Sequence, residues 1–158
     1  MFNISQYTQK IDCFYDLMKQ HSHLADIQLS EETWTLKEMV SHLIDSASNN
    51  HQRFIRLQLE TTVQFPAYGA EAWKQTSKIN GYDFTGLINL WKEYNHYLLH
   101  IIHNIGKNCL DNIWETEEKQ LTLRFLVEDY FETHMNWHME LYRERITEIT
   151  NARTVSGS

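Results

Sequence analysis

His134 and His138 stand four residues apart near the end of the chain, the separation that stacks two side chains on one face of an α-helix. At about 100° per residue, Leu123, Val127, Phe131, His134, His138, Leu141 and Ile149 fall within a sector of roughly 80°. Glu128, Asp129, Glu132, Asn136, Glu140 and Arg143 lie on the opposite side. Two imidazoles in the middle of a buried stripe need partners, because a buried polar group without one is costly. Each ring can bond a neighbouring side chain or carbonyl, or the pair can supply two ligands to one divalent metal.

Other histidines among the nine in the chain test this logic. His96, His100 and His103 also share a face, at i, i+4 and i+7, but that face opposes Leu87, Trp91, Tyr94, Leu98 and Ile105. With Asn89, Lys92, Glu93 and Lys107 as companions, it reads as a solvated or subunit-facing surface, one able to scavenge nickel or zinc. His51 falls opposite His42 on its helix and is expected to be exposed, and His21 and His23 suit a helix C-terminus. His42 sits at the edge of its own helix's apolar stripe, among Thr35, Glu38, Asp45, Ser46, Asn49 and Arg53. That edge reads equally as a solvated flank or as a polar wall facing a cavity.

Four helical segments would position these side chains. The first spans about residues 4–21, with Ile4, Tyr7, Ile11, Phe14, Tyr15 and Met18 on one stripe. The second opens on Thr35-Leu36-Lys37-Glu38, a capping box preceded by Trp34 with Met39 at the fourth position, and runs to about Glu60. The third spans about Phe84 to Ile105, ahead of Gly106, and the fourth about Thr122 to Ile149. The connection 61–82 holds the single proline, Pro66, with a short helix expected around Trp73; a second connection covers 107–120. The expected fold is all-α, a four-helix bundle with long connections between helices 2 and 3 and between helices 3 and 4, and a crossover topology is open to it. Residues 1–150 form one domain and 151–158 a polar C-terminal tail.

Composition excludes several function classes. With 14 basic and 21 acidic residues in 158, the net charge is −7, which argues against general binding to nucleic acid or anionic membranes. Five glycines and one proline are too few breakers for a turn-dense β architecture. Cys13 and Cys109 make neither a disulfide framework nor a Cys-x-x-Cys pair. No apolar run approaches the roughly 20 residues needed to span a bilayer. No secretory pattern opens the chain, so the expected setting is cytoplasmic. Gly-rich phosphate loops and an interpretable Ser/His/Asp order are both missing.

The segments Trp34-Thr35-Leu36-Lys37-Glu38-Met39-Val40-Ser41-His42-Leu43-Ile44-Asp45 and Asp129-Tyr130-Phe131-Glu132-Thr133-His134-Met135-Asn136-Trp137-His138, in that order and at that separation, resemble the DinB-like (DinB/YfiT-like) superfamily of metal-binding four-helix bundles. The resemblance covers about residues 4–149. It implies one divalent metal, zinc or nickel, held by His42, His134 and His138. His42 rests mainly on the resemblance. Relatives of this kind include transferases and isomerases that depend on a low-molecular-weight thiol, and they often pair through their helices. The expected function is therefore a small metal-dependent enzyme acting on a small molecule, with thiol transfer to an electrophile first and hydrolysis second. A homodimer is expected too, with the His96–His103 face available to it. The competing expectation is a non-enzymatic stress or interaction protein with a structural metal.

Three neutral imidazoles leave a bound ion its +2 charge and an open position, as in catalytic zinc sites. Tyr130 and Tyr142, one turn before His134 and one turn after His138, are candidates for proton donation or substrate orientation, or are ordinary core tyrosines. Asp45 and Glu38 flank His42 as candidate acceptors for an imidazole N–H, or are surface carboxylates. Asn49 and Arg53 continue the same edge; Arg53 would fix an anionic substrate group or form a surface salt bridge. Phe65, Tyr68, Trp73 and Trp114 would line a pocket mouth or plug the ends of the bundle.

Overall fold

The computed structural model describes residues 1–157. Helix α1 spans Ile4–Gln20, α2 Leu36–Leu59, α3 Ala70–Ser77 and α4 Phe84–His103. The last rod consists of α5 (Leu123–Glu128), a π-helical stretch (Asp129–His134) and α6 (Met135–Ser156). Four long helical rods therefore make the bundle, α4 packing against both α1 and α2. The short helix expected around Trp73 is α3, and α4 ends two residues before the expected Ile105. Residues 151–156, which composition marks as a tail, continue α6 with exposed side chains.

Local chemistry sets the helix starts. The α2 capping box is formed in full: the Glu38 N–H donates to Thr35 Oγ1 at 3.1 Å, and the Thr35 N–H donates to Glu38 Oε2 at 2.8 Å. Thr122 caps α5 through Oγ1, which accepts from the Phe125 N–H at 3.2 Å. Asp83 caps α4 in the same way, accepting from the Gly86 N–H at 2.7 Å.

An aromatic knot joins three rods. Phe14 of α1 meets Trp91 of α4 edge-on at 5.2 Å and Tyr142 of α6 edge-on at 5.4 Å. All three are essentially buried, and each such pair adds about 1 kcal/mol beyond the area it removes from water. Tyr7 stacks on Phe131 at 4.8 Å and donates its hydroxyl to Glu132 Oε1 at 2.6 Å, so α1 also grips the π-helical stretch. Lys10 supplies that widened turn with an external donor, its Nζ lying 3.3 Å from the Phe131 carbonyl.

The π-helical stretch changes the bearing of the rod. At about 100° per residue, the buried residues of α5 (Leu123, Leu126, Val127) and those of α6 (Met135, His138, Tyr142, Ile146, Ile149) centre about 100° apart, one residue's worth. A straight α-helix would therefore carry one of the two sets out of the core.

The two long connections contain a small sheet that the sequence reading lacks. Strands β1 (Thr62–Gln64), β2 (Ile113–Glu115) and β3 (Gln120–Thr122) lie in that order. β1 runs parallel to β2, pairing Val63 with Trp114, and β2 runs antiparallel to β3, pairing Trp114 with Leu121. The Asn112 amide donates to the Leu57 carbonyl at 2.6 Å, and the Trp114 indole donates to the Phe65 carbonyl at 2.6 Å. Among the described residues no helix is long and apolar enough to cross a membrane.

Candidate metal centre

His42 projects from α2, His134 ends the π-helical stretch and His138 lies one turn into α6. One ring nitrogen from each lies within 4.8 Å of the others, and among the described residues this is the group of three whose donors converge so. The Nε2 atoms of His134 and His138 are 3.0 Å apart. The His42 ring centroid is 4.9 Å from that of His138 and 6.3 Å from that of His134.

The donor set fits a divalent ion. Nitrogens bound to one tetrahedral ion at about 2.0–2.1 Å stand about 3.4 Å apart, and the observed spread comes within rotamer adjustment of that value. Burial favours the neutral rings. His42 is lowered to about 4, first by desolvation and then by the charge His134 would carry. His138 is lowered to about 3 by desolvation, then by His134 and His42. Desolvation also lowers His134, partly opposed by the Asp129 carboxylate. Neutral imidazoles crowded nitrogen to nitrogen present lone pairs that a cation satisfies better than one shared proton.

Two cavities meet the triad with different chemistry. One, of about 200 Å³, reaches His42 and His138 and is walled by Trp34, Met39 and Leu141. Glu144, Arg145 and Glu148 rim it. The other, of about 220 Å³, reaches His134 and is lined by Arg53, Tyr68, Trp114, Lys119 and Asp129 among others.

The remaining sequence candidates separate clearly. Tyr142 is fully buried, and its hydroxyl has no hydrogen-bond partner among the described residues; burial pushes the phenol up, and Tyr142 lines neither cavity. Tyr130 borders the His134 cavity, but its hydroxyl is committed to Asn95 Oδ1 at 2.7 Å, and burial raises its pKa strongly. Asp45 is half-buried and desolvation raises it to about 6. Glu38 is occupied by the capping box. Asn49 is buried with its amide returned to the Asp45 carbonyl at 2.8 Å, and it borders neither cavity.

Among the described residues Arg53 forms no salt bridge: it is 8% exposed, and its guanidinium lies 4.0 Å from the Trp114 ring centre.

The phenol beside the triad is Tyr68. Its hydroxyl lies 3.4 Å from His42 Nδ1, and burial, with the Asp45 charge behind it, pushes it up to about 12. The sequence offers only its place among loop aromatics, because Tyr68 belongs to no helical stripe. Of the other histidines, His96 contacts Asp12 Oδ1 at 3.1 Å, while His100 and His103 are exposed. His51, expected to be exposed, is half-buried with Nδ1 2.9 Å from the Tyr94 hydroxyl.

No family model and no curated protein matches the chain. Among solved structures, YfiT from Bacillus subtilis, described as a probable metal-dependent hydrolase with an unusual four-helix bundle topology, superposes with a TM-score of 0.75. The match covers 98% of this chain and 90% of that one at 19% sequence identity. Shared extent at so low an identity is a statement about architecture: the chain has the four-helix bundle fold of YfiT.

Proposed function

We propose that the chain is a metal-dependent enzyme in which His42, His134 and His138 hold one divalent ion, zinc or nickel, with at least one position open to substrate. The observation that carries this reading is the convergence of three imidazoles, two of which border one cavity and the third another. When bound, such an ion supplies Lewis acidity to a water or thiol nucleophile and to the electrophile beside it.

The chain's own residues do the rest. Tyr68 lies where its hydroxyl can hold the His42 Nδ1 side of the ring and so fix which nitrogen faces inward. Its high pKa keeps the phenol protonated at neutral pH, able to donate a hydrogen bond to a substrate oxygen. Trp34, Met39 and Leu141 exclude water on the His138 side. The description of YfiT as a metal-dependent hydrolase supports water as the nucleophile. Two cavities of unlike chemistry support a second reading, a two-substrate transfer of a low-molecular-weight thiol to an electrophile. The same proposal makes the protein a cytoplasmic enzyme of small molecules that pairs as a homodimer through its outer helical faces.

The test is metal content by inductively coupled plasma mass spectrometry on untagged protein, beside His134→Ala and His96→Ala. About one ion per chain, lost with His134→Ala and kept with His96→Ala, is expected. Metal that follows His96, or none after reconstitution with zinc and nickel, would remove the reading. In cobalt-substituted protein, millimolar thiol shifting the visible spectrum selects transfer; an unmoved spectrum selects hydrolysis.

A further inference from the structure

Arg53 stands out because it is a buried cation with almost nothing to hold. Of the five N–H donors that a guanidinium carries, one has an acceptor among the described residues, Nη1 to Asn50 Oδ1 at a long 3.4 Å. Nε is buried without any. Among the described residues no carboxylate comes within ion-pair distance of Arg53. Burying a charge without a partner is costly, and removing its counter-charge alone destabilises by several kcal/mol. A sequence that keeps such a group in place is compensated elsewhere.

The surroundings are built around the guanidinium. Its Cζ lies over the Trp114 indole, 4.0 Å from the ring centre, with the Phe65 ring centre at 5.9 Å. The indole is itself fixed, through its N–H to the Phe65 carbonyl and by β-pairing on both sides of residue 114. Lys119 brings a second cation, its ammonium, to the same ring, 5.7 Å from its centre. Arg53 and Lys119 line the cavity that ends at His134, with Asp129 as its one carboxylate. Two cations against one anion leave that cavity with one positive charge in excess, matched by a monoanion better than by a doubly charged phosphate. A planar fork of donors, pre-oriented on an aromatic face, suits a planar carboxylate.

We propose that this cavity is a carboxylate subsite: Arg53, assisted by Lys119, holds the carboxylate of a small organic acid and so directs the remainder of the molecule toward His134. The substrate, or one of two co-substrates, is then a carboxylic acid. This rests on the metal-centre reading for its catalytic meaning, but the subsite itself requires no ion and is testable without one. Arg53 acts as a binding and positioning residue, with no proton to exchange at neutral pH.

The experiment is isothermal titration calorimetry of full-length protein, EDTA-treated and zinc-loaded, with benzoate, propionate and inorganic phosphate at constant ionic strength. Benzoate and propionate are expected to bind the EDTA-treated protein at least 10-fold more tightly than phosphate. Arg53→Met should weaken benzoate at least 10-fold and Lys119→Met about 3-fold, while His96→Ala, outside the cavity, leaves binding intact. Where Arg53→Met fails to fold, Arg53→Lys carries the test: it keeps the charge, loses the fork, and should weaken benzoate about 10-fold. Zinc content of the Arg53 variants should equal that of the wild type. Benzoate binding that is unchanged in both Arg53 variants, that is absent from natively folded wild type, or that requires zinc would overturn the subsite and leave the metal centre standing. Phosphate binding more tightly than benzoate would overturn the carboxylate assignment. Carboxylate binding through Arg53 in a protein that takes up no metal would instead uphold the subsite and remove the enzyme reading.

Discussion

Replacing Tyr142 by Phe should stabilise the protein. The side chain is 0% exposed, its ring is held edge-on by Phe14, and its hydroxyl has no acceptor among the described residues. A buried hydroxyl without a partner forfeits about 1–3 kcal/mol of hydration. Phenylalanine keeps the ring and the Phe14 contact and leaves a void of one oxygen, less than the methyl-sized cavity that costs about 1 kcal/mol. The net gain should be about 1 kcal/mol, and a chain of this length converts that to a rise in Tm of about 2–4 °C. The assay is a thermal melt of EDTA-treated protein at pH 7, paired with a urea titration in which the midpoint rises and the slope stays fixed. Tyr130→Phe is the matched control. It orphans Asn95 Oδ1, which is fully buried, and should cost about 1–3 kcal/mol. A lower Tm for Tyr142→Phe would refute the reasoning, because the hydroxyl would then be hydrogen-bonded in solution. Loss of metal by that variant would likewise place the phenol at the site.

Two further outcomes test the site and its surroundings. At free zinc 1,000-fold above Kd, the wild type should gain about 4 kcal/mol, or about 8–16 °C in Tm, and His138→Ala should lose that zinc-dependent rise; an equal rise in the variant would count against the triad. Asp45 has a folded pKa of about 6 against 3.8 unfolded, so the stability its neutral form contributes is complete below pH 4 and is lost as pH climbs through 6. Asp45→Asn should accordingly match the wild type near pH 4 and exceed it by about 1 kcal/mol above pH 6, after allowance for its half-exposed carboxyl. Chemical denaturation of EDTA-treated protein across pH 4–8 would show it, and a gap that narrows with rising pH would contradict the assignment.

The long helices were legible because their signals are local. The Thr35–Glu38 box, the α1 stripe and the His134–His138 pair each depend on residues within a turn or two of one another. His42 was obscured by polar neighbours that suit a solvated flank and a polar cavity wall equally. Ser41, Ser46, Asn49, Asn50 and Arg53 are in fact buried, and the two asparagines stay buried by returning their amides to carbonyls of their own helix. The asparagines' polarity is spent inside the helix and carries no message about solvent. The π-helical stretch escaped a wheel that assumes 100° throughout, so Met135, Tyr142 and Ile146 fell outside the expected stripe although all are buried. Strands of three residues are too short for alternation to register, and the pairing of β1 with β2 joins residues about fifty positions apart. The same long-range closure brings Tyr68 and Trp114 to the site, which no local pattern announces.

That closure also has a kinetic meaning. β1 belongs to the connection leaving α2, whereas β2 and β3 belong to the one entering α5, yet β2 is hydrogen-bonded to both neighbours at once. Neither connection can peel from the bundle without breaking a ladder that the other shares. The Trp114 indole and the Arg53 guanidinium beneath it break contact in the same event. Amide protons along residues 62–64, 113–115 and 120–122 should therefore exchange with solvent as one cooperative unit, with one opening free energy. Anything entering the Arg53 cavity by that route would meet a single gatekeeping equilibrium, shared by two segments fifty residues apart in the chain.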